Sequence, residues 1–287
     1  MKALALPLLL VVTLAAAEIQ SPVPEQTRTD FKLDPFYAKC VMVGDFPVVS
    51  SAKVDDAALA EASGIVKSML AGREDILTAM AKNKVRLTVM ATSERTCDVP
   101  EHADLTPKEY WNRRARGLGA TKARPSVSCA EENLLCCPGD PYSTESIMVH
   151  EFAHAIHEMG VNTIDKTFDR RLKEAYDAAL KEGKWKNCYA AENHHEYWAE
   201  AVQSWFGTNR ENDAIHNHVN TRQELKDYDP GVAKLCEEVF RDNTWSYRRA
   251  DDPARKDEPH LKLLDRSKLP KFEWSEAEKS GDKKKGK

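Results

Sequence analysis

Two histidines and a glutamate stand at the spacing His150-Glu151-x-x-His154 inside the run STESIMVHEFAHAIHEMG. On an α-helix, residues four apart are offset by only about 40°, so the two imidazoles face the same way, one turn apart. That geometry can hold a tetrahedral Zn²⁺ at about 2.0–2.1 Å from each ring, with the intervening glutamate in reach of a metal-bound water as general base. His157 and Glu158 fall on the same side, while Met148, Phe152, Ala155, Ile156 and Met159 make an apolar stripe opposite. Such a stripe lets the helix lie on a core while its polar side faces a cleft, with Ile147 the one exception. Ser143 is the expected N-cap and Gly160 the expected stop.

A catalytic zinc needs a third protein ligand. The pattern His-Glu-x-x-His-x-x-Gly-x-x-His would want glycine at 157 and histidine at 160, and the chain has His157 and Gly160 instead, so that class is excluded. The candidate is Glu196 in NHHEYWAE, with Glu200 one turn on and Gln203 on the same helical side. Trp198, Ala201, Val202 and Trp205 form the apolar back of this second helix. A glutamate one turn after a ligand can hydrogen-bond a zinc-bound imidazole, which suits Glu200. His194 and His195 stand as rival third ligands, with Glu192 weaker. His157 reads as a helix-face histidine with no duty of its own, or as a group close to the metal or the substrate.

HEFAH followed at a distance by EYWAE resembles the gluzincin zinc peptidases, most nearly the branch typified by anthrax lethal factor. Residues 94–160 also resemble uncharacterised secreted proteins carrying EENLL and PGDPY ahead of HEFAH. The resemblance implies a zincin-like α+β fold, helix-rich with a small mixed sheet, and Zn²⁺ held by His150, His154 and Glu196. It implies Glu151 as base, Glu200 behind the ligands, and Tyr189, seven residues before Glu196, as a donor to the transition state. The expected activity is hydrolysis of a peptide or protein substrate. A zinc-bearing matrix protein without activity, or an amidase on a cell-wall or glycan-linked bond, is the alternative. Cleavage preference and oligomeric state are not set by the sequence.

Other elements must position these groups. Residues 1–17 carry Lys2, an apolar run and Ala15-Ala16-Ala17, the pattern of a secretory signal peptide. The run is too short to span a bilayer, so a secreted chain without a transmembrane segment is expected. Residues 18–265 are then the catalytic domain, and 266–287, ending GDKKKGK, a basic, disordered tail. Residues 36–51 read as a hairpin-like strand pair, 55–70 and 74–82 as helices, and 85–91 as a strand, by analogy the edge that pairs with substrate. Thr106-Pro-Lys-Glu109 reads as a capping box opening a helix to about Arg116. Residues 126–142 read as a loop whose Cys129, Glu131, Glu132, Asn133 and Asp140 could line the cleft. Helices are expected over 166–181 and 230–240.

At 287 residues, 41% hydrophobic and 31% charged, the chain can bury a large core, and a formal net charge of −4 argues against nucleic-acid binding. Seven cysteines in an oxidising compartment allow up to three disulfides and leave one thiol over. No Cys-x-x-Cys pair supports a cysteine metal site.

Overall fold

β-Branched residues on either side of Gly44-Asp45 fold back on each other. β1 (Lys39–Val43) pairs antiparallel with β2 (Phe46–Ser50), Val43 opposite Phe46, and Gly44 takes φ +57° in the two-residue turn. This is a computed structural model, and it describes residues 18–276 and 278; residues 1–17, where a signal peptide is expected, lie outside them. A helix, α1 (Glu25–Phe31), precedes the hairpin. After β2 the chain turns into α2 (Asp56–Met69), whose Asp55 side chain accepts from Ala57 N, and α3 (Glu74–Lys82). It returns as β3 (Arg86–Met90), parallel to β2.

β4 (Ser126–Ala130) runs parallel to β3, so the mixed sheet has the order β1-β2-β3-β4. β3 is therefore interior: of the two roles open to 85–91, it takes ordinary sheet core rather than substrate edge, and the edges are β1 and β4. The β4 edge is itself partly covered, because Leu118 forms an antiparallel bridge with Ser128. The sequence SVSCA hid β4 among small residues, and burial rather than bulk makes it a strand, since every residue in it is buried.

Between β3 and β4 sits α4 (Lys108–Arg114), which starts after Pro107 with no side-chain cap, so the expected capping box at Thr106 does not form. The short α5 (Glu131–Leu134) follows β4, then α6 (Ile147–Ala155), a π-helical turn (Ile156–Val161) and α7 (Asn162–Ile164). The chain ends with α8 (Phe168–Lys181), α9 (His194–Phe206), α10 (Arg222–Tyr228), α11 (Pro230–Phe240) and α12 (Pro259–Lys262). α6 lies on β4 and packs along α9, while α8, α10 and α11 back α9 from the other side. Phe152, Trp198, Phe206 and Phe240 are all buried in the one large core they share.

Glu131, Glu132 and Asn133, which could have lined the cleft, are instead buried fasteners. Glu131 accepts from Asp55 N at 2.9 Å and Thr92 N at 2.7 Å. Glu132 takes a two-pronged ion pair from the fully buried Arg116 at 2.6 and 3.0 Å. Asn133 donates to Asp140 and to the Tyr142 and Glu145 carbonyls, and its own carbonyl accepts from Ile147 N, the first residue of α6. The C-terminal segment is held as well: Phe272 is buried, its N–H donates to the Pro138 carbonyl, and Arg116 and Arg95 lie over its ring at 4.7 and 5.1 Å. The expected tail from 266 is thus packed at least as far as Trp274, which meets the Phe272 ring edge-on.

All seven cysteines are free thiols, so the expected disulfides are not formed. Cys40, Cys129 and Cys236 are buried in β1, β4 and α11, three separate elements. Burial pushes the Cys40 thiol up to about 11, and burial with Glu131 and Glu132 nearby pushes Cys137 up to about 12.

Candidate metal centre

α6 is positioned from both ends. Its cap is Ser146 rather than Ser143: the Ser146 side chain accepts from Val149 N, while its own N–H donates to Thr208 Oγ1 at 2.8 Å. Gly160 does not stop it either, because the helix widens into the π turn at Ile156 and continues. A Cβ on Gly160 would sit 2.7 Å from the Ile76 side chain, so its small size serves the close approach to α3. Gly117 and Gly119 do the same on the polar side. Added Cβ atoms there would meet Glu151 Cγ at 3.0 Å and His154 Cβ at 2.9 Å, so this segment lies directly against the helix.

Glu196, in the first turn of α9, meets both imidazoles of α6. One carboxylate oxygen, Oε2, is 3.0 Å from His150 Nε2 and 3.4 Å from His154 Nε2, and the two rings cross at 80° with centroids 5.0 Å apart. Two ligands of a tetrahedral zinc at 2.0–2.1 Å sit about 3.3 Å from each other, so the spacing of these donors fits that ion. His194 and His195, the rival ligands, lie apart with Asp169 and Glu158.

Behind His150 the chain fixes the tautomer. The Gln203 side-chain NH₂ donates to Glu145 at 3.0 Å and to the Ser146 carbonyl at 3.3 Å. Its carbonyl oxygen must then face His150, and it accepts from Nδ1 at 2.8 Å, which points Nε2 at Glu196. Burial alone would lower this imidazole, but the Glu196 and Glu200 carboxylates outweigh it and raise the pKa well above its usual value. Glu200, the expected anchor, is 3.5 Å from the same Nδ1 and is engaged elsewhere, by Asn209 at 3.1 Å and His216 at 3.4 Å. His216 in turn donates to Asp213, which pairs with Arg210, which reaches Glu145. The loop after α9 is thereby tied into the ring of groups that holds His150. Gln203 was visible in the sequence only as a polar residue on the right side of its helix; Glu145 and His216 gave no signal, because their roles come from long-range closure.

Protonation follows the geometry. Burial alone would raise the Glu196 carboxyl, but the two histidines override it and hold it well below the usual range. Glu200 behaves likewise: its histidine partners outweigh burial and bring it down to about 2. Glu151 goes the other way. Burial pushes its carboxyl up, and the His150 and His154 charges offset that only in part.

Tyr189 sits in a short 3₁₀ turn (Tyr189–Ala191) fixed by its N–H to the Ile215 carbonyl, with its ring 6.1 Å from that of His150. Its phenol oxygen accepts from Arg114, a residue the sequence gave no reason to select. Burial pushes the Tyr189 hydroxyl up, so it stays protonated. A groove of about 1600 Å³ lies elsewhere, between α2 and the C-terminal segment, and includes none of these residues.

No family model and no curated protein matches the sequence. Among solved structures, a Pro-Pro endopeptidase from Paenibacillus alvei is similar over 68% of this chain and 96% of that one, at 15% identity and a TM-score of 0.40. That likeness is too loose to carry fold or function across. Among the described residues no helix is long and apolar enough to cross a membrane.

Proposed function

We propose that the chain is a secreted, zinc-dependent metallopeptidase of gluzincin type that hydrolyses peptide bonds. The observation that carries the reading is the convergence of His150 Nε2 and His154 Nε2 on one oxygen of Glu196, at 3.0 and 3.4 Å, with the His150 tautomer set from behind by Gln203. Zinc held there supplies Lewis acidity and brings the pKa of a bound water to about 7.

The chain's own groups do the rest. Glu151, with its carboxyl raised by burial, accepts a proton from the attacking water at a carboxylate oxygen and returns it to the leaving amine. Tyr189 keeps its proton; with its oxygen held by Arg114, the hydroxyl hydrogen is free to donate to the developing oxyanion. Gly117 and Gly119 bring backbone alongside Glu151 and His154, where a bulkier segment would close the approach. Export rests on residues 1–17 alone, and N-terminal sequencing of protein from the medium, with a start near Glu18, checks it.

The deciding experiment compares wild type and Glu151→Gln on a peptide library, with zinc counted in both. The variant is expected to keep its zinc and lose most turnover. Full activity in a folded Glu151→Gln protein sinks the mechanism.

A further inference from the structure

A second cluster of donors lies one turn beyond the first. His157 is completely buried, yet neither ring nitrogen makes a hydrogen bond. An orphaned imidazole in a dry core costs roughly 1–3 kcal/mol for each unsatisfied group, so its retention calls for a partner. Its Nε2 is 3.1 Å from Asp169 Oδ1, close but not aligned for a hydrogen bond. That spacing again matches the edge of a zinc tetrahedron, about 3.3 Å.

The ring of His195 closes the group, its centroid 5.4 Å from that of His157, and one donor atom each from His157, Asp169 and His195 lies within 4.8 Å of the others. An outer anchor is in place too: His194 Nε2 donates to the same Asp169 oxygen at 3.1 Å, while His195 Nδ1 lies 3.1 Å from Glu158 without a hydrogen bond to it.

We propose that His157, Asp169 and His195 form a second zinc site with three protein ligands. It joins three chain segments: the π turn after α6, the first turn of α8 and the first turn of α9. His195 immediately precedes Glu196, so an ion bound here fixes the end of α9 that presents Glu196 to the first site. His157 stands three residues beyond His154, about 4.5 Å further along the helix axis, and that rise separates the two clusters. The inference stands without the peptidase reading, since it concerns ligands on a different set of residues.

The test is a zinc count on the full-length protein, stripped with chelator, refilled with Zn²⁺ alone, desalted and measured by mass spectrometry of the metal. Wild type should retain two ions per chain. His157→Ala should retain one, and so should the half-exposed pair Asp169→Ala with His195→Ala, which leaves the buried ring in place should His157→Ala fail to fold. His150→Ala with His154→Ala should also retain one, and all the changes together none. A zinc-induced rise in melting temperature should shrink in the His157 and Asp169/His195 variants. One ion in wild type that survives both of those variants overturns the second site and leaves the first standing. One ion that is lost with His157 but not with His150 and His154 supports the second and removes the first. Two ions in the Asp169/His195 variant also overturn the proposal.

Discussion

Replacing Gln203 by leucine tests whether the tautomer lock behind His150 matters. The substitution is close in volume and removes one acceptor and two donated bonds: Nδ1 to Oε1 at 2.8 Å, and the amide to Glu145 at 3.0 Å and to the Ser146 carbonyl at 3.3 Å. The bond to His150 is buried and strengthens when the imidazole carries charge toward a cation, which places it at about 1.5–3 kcal/mol. At about 1.4 kcal/mol per decade, zinc affinity at the first site should fall roughly 10- to 100-fold, the range typical of groups that orient a metal-bound histidine. Glu200 limits the loss, because its Oε1 is 3.5 Å from the same nitrogen and can move in. Gln203→Leu combined with Glu200→Ala should therefore cost more than the sum of the two single changes. Competition against a chromogenic chelator reads the affinity, and near-ultraviolet circular dichroism checks that the core is intact. An affinity within twofold of wild type in a folded Gln203→Leu protein refutes the lock.

Three further outcomes are expected. Tyr189→Phe should keep zinc and KM nearly unchanged while kcat falls by about 10²–10³, the usual effect of losing one oxyanion donor; an unchanged kcat would remove Tyr189 from the chemistry. Glu132→Ala leaves the Arg116 guanidinium fully buried without its carboxylate, and should lower unfolding free energy by about 3–5 kcal/mol in urea titrations, with a loss under about 1 kcal/mol speaking against a paired charge there. His102 is buried and brought down to about 4 from 6.5 chiefly by that burial, so between those values the unfolded chain binds the extra proton and stability rises with pH. The 2.5-unit gap corresponds to about 3 kcal/mol, lost as pH falls from 6.5 to 4. His102→Gln should flatten the stability curve in that window by this amount, and parallel curves for the two proteins would contradict it.

Local signals in the sequence carried the elements that local physics decides. Asp55 caps α2, and α3 and α11 begin and end where their apolar spacing and flanking residues place them. The apolar stripe on α6 and the back of α9 are buried as their periodicity requires. What stayed hidden depends on distant partners. Ser146 rather than Ser143 caps α6 because Thr208 and Asn133, 62 and 14 residues away in sequence, hold that turn. Glu131 and Glu132 resemble solvated acids until Asp55, Thr92 and Arg116 arrive around them. Phe272 sits in a stretch too charged to suggest burial, and the cradle at Pro138 and Arg116 exists only after folding.

The π turn is the most instructive of these differences. A wheel advancing 100° per residue puts His157 beside His150 and His154, where it would be a surplus third histidine. The winding changes at Ile156, one residue before it, so the ring turns instead toward Phe168, Trp198 and the His194-His195 pair. Nothing in HAIHEMGV announces that change; it accompanies the packing of Gly160 on Ile76 and the Met159 carbonyl accepting from the Asn83 side chain at 2.7 Å. One helix thus sends histidines to two separate clusters, and α9 answers with adjacent residues, Glu196 to the first and His195 to the second. Adjacent residues on a helix point about 100° apart, so Glu196 and His195 leave α9 in different directions. His157 lies three residues beyond His154, about 4.5 Å further along the axis, and that rise, with a small added turn from the π winding, carries it to the second cluster.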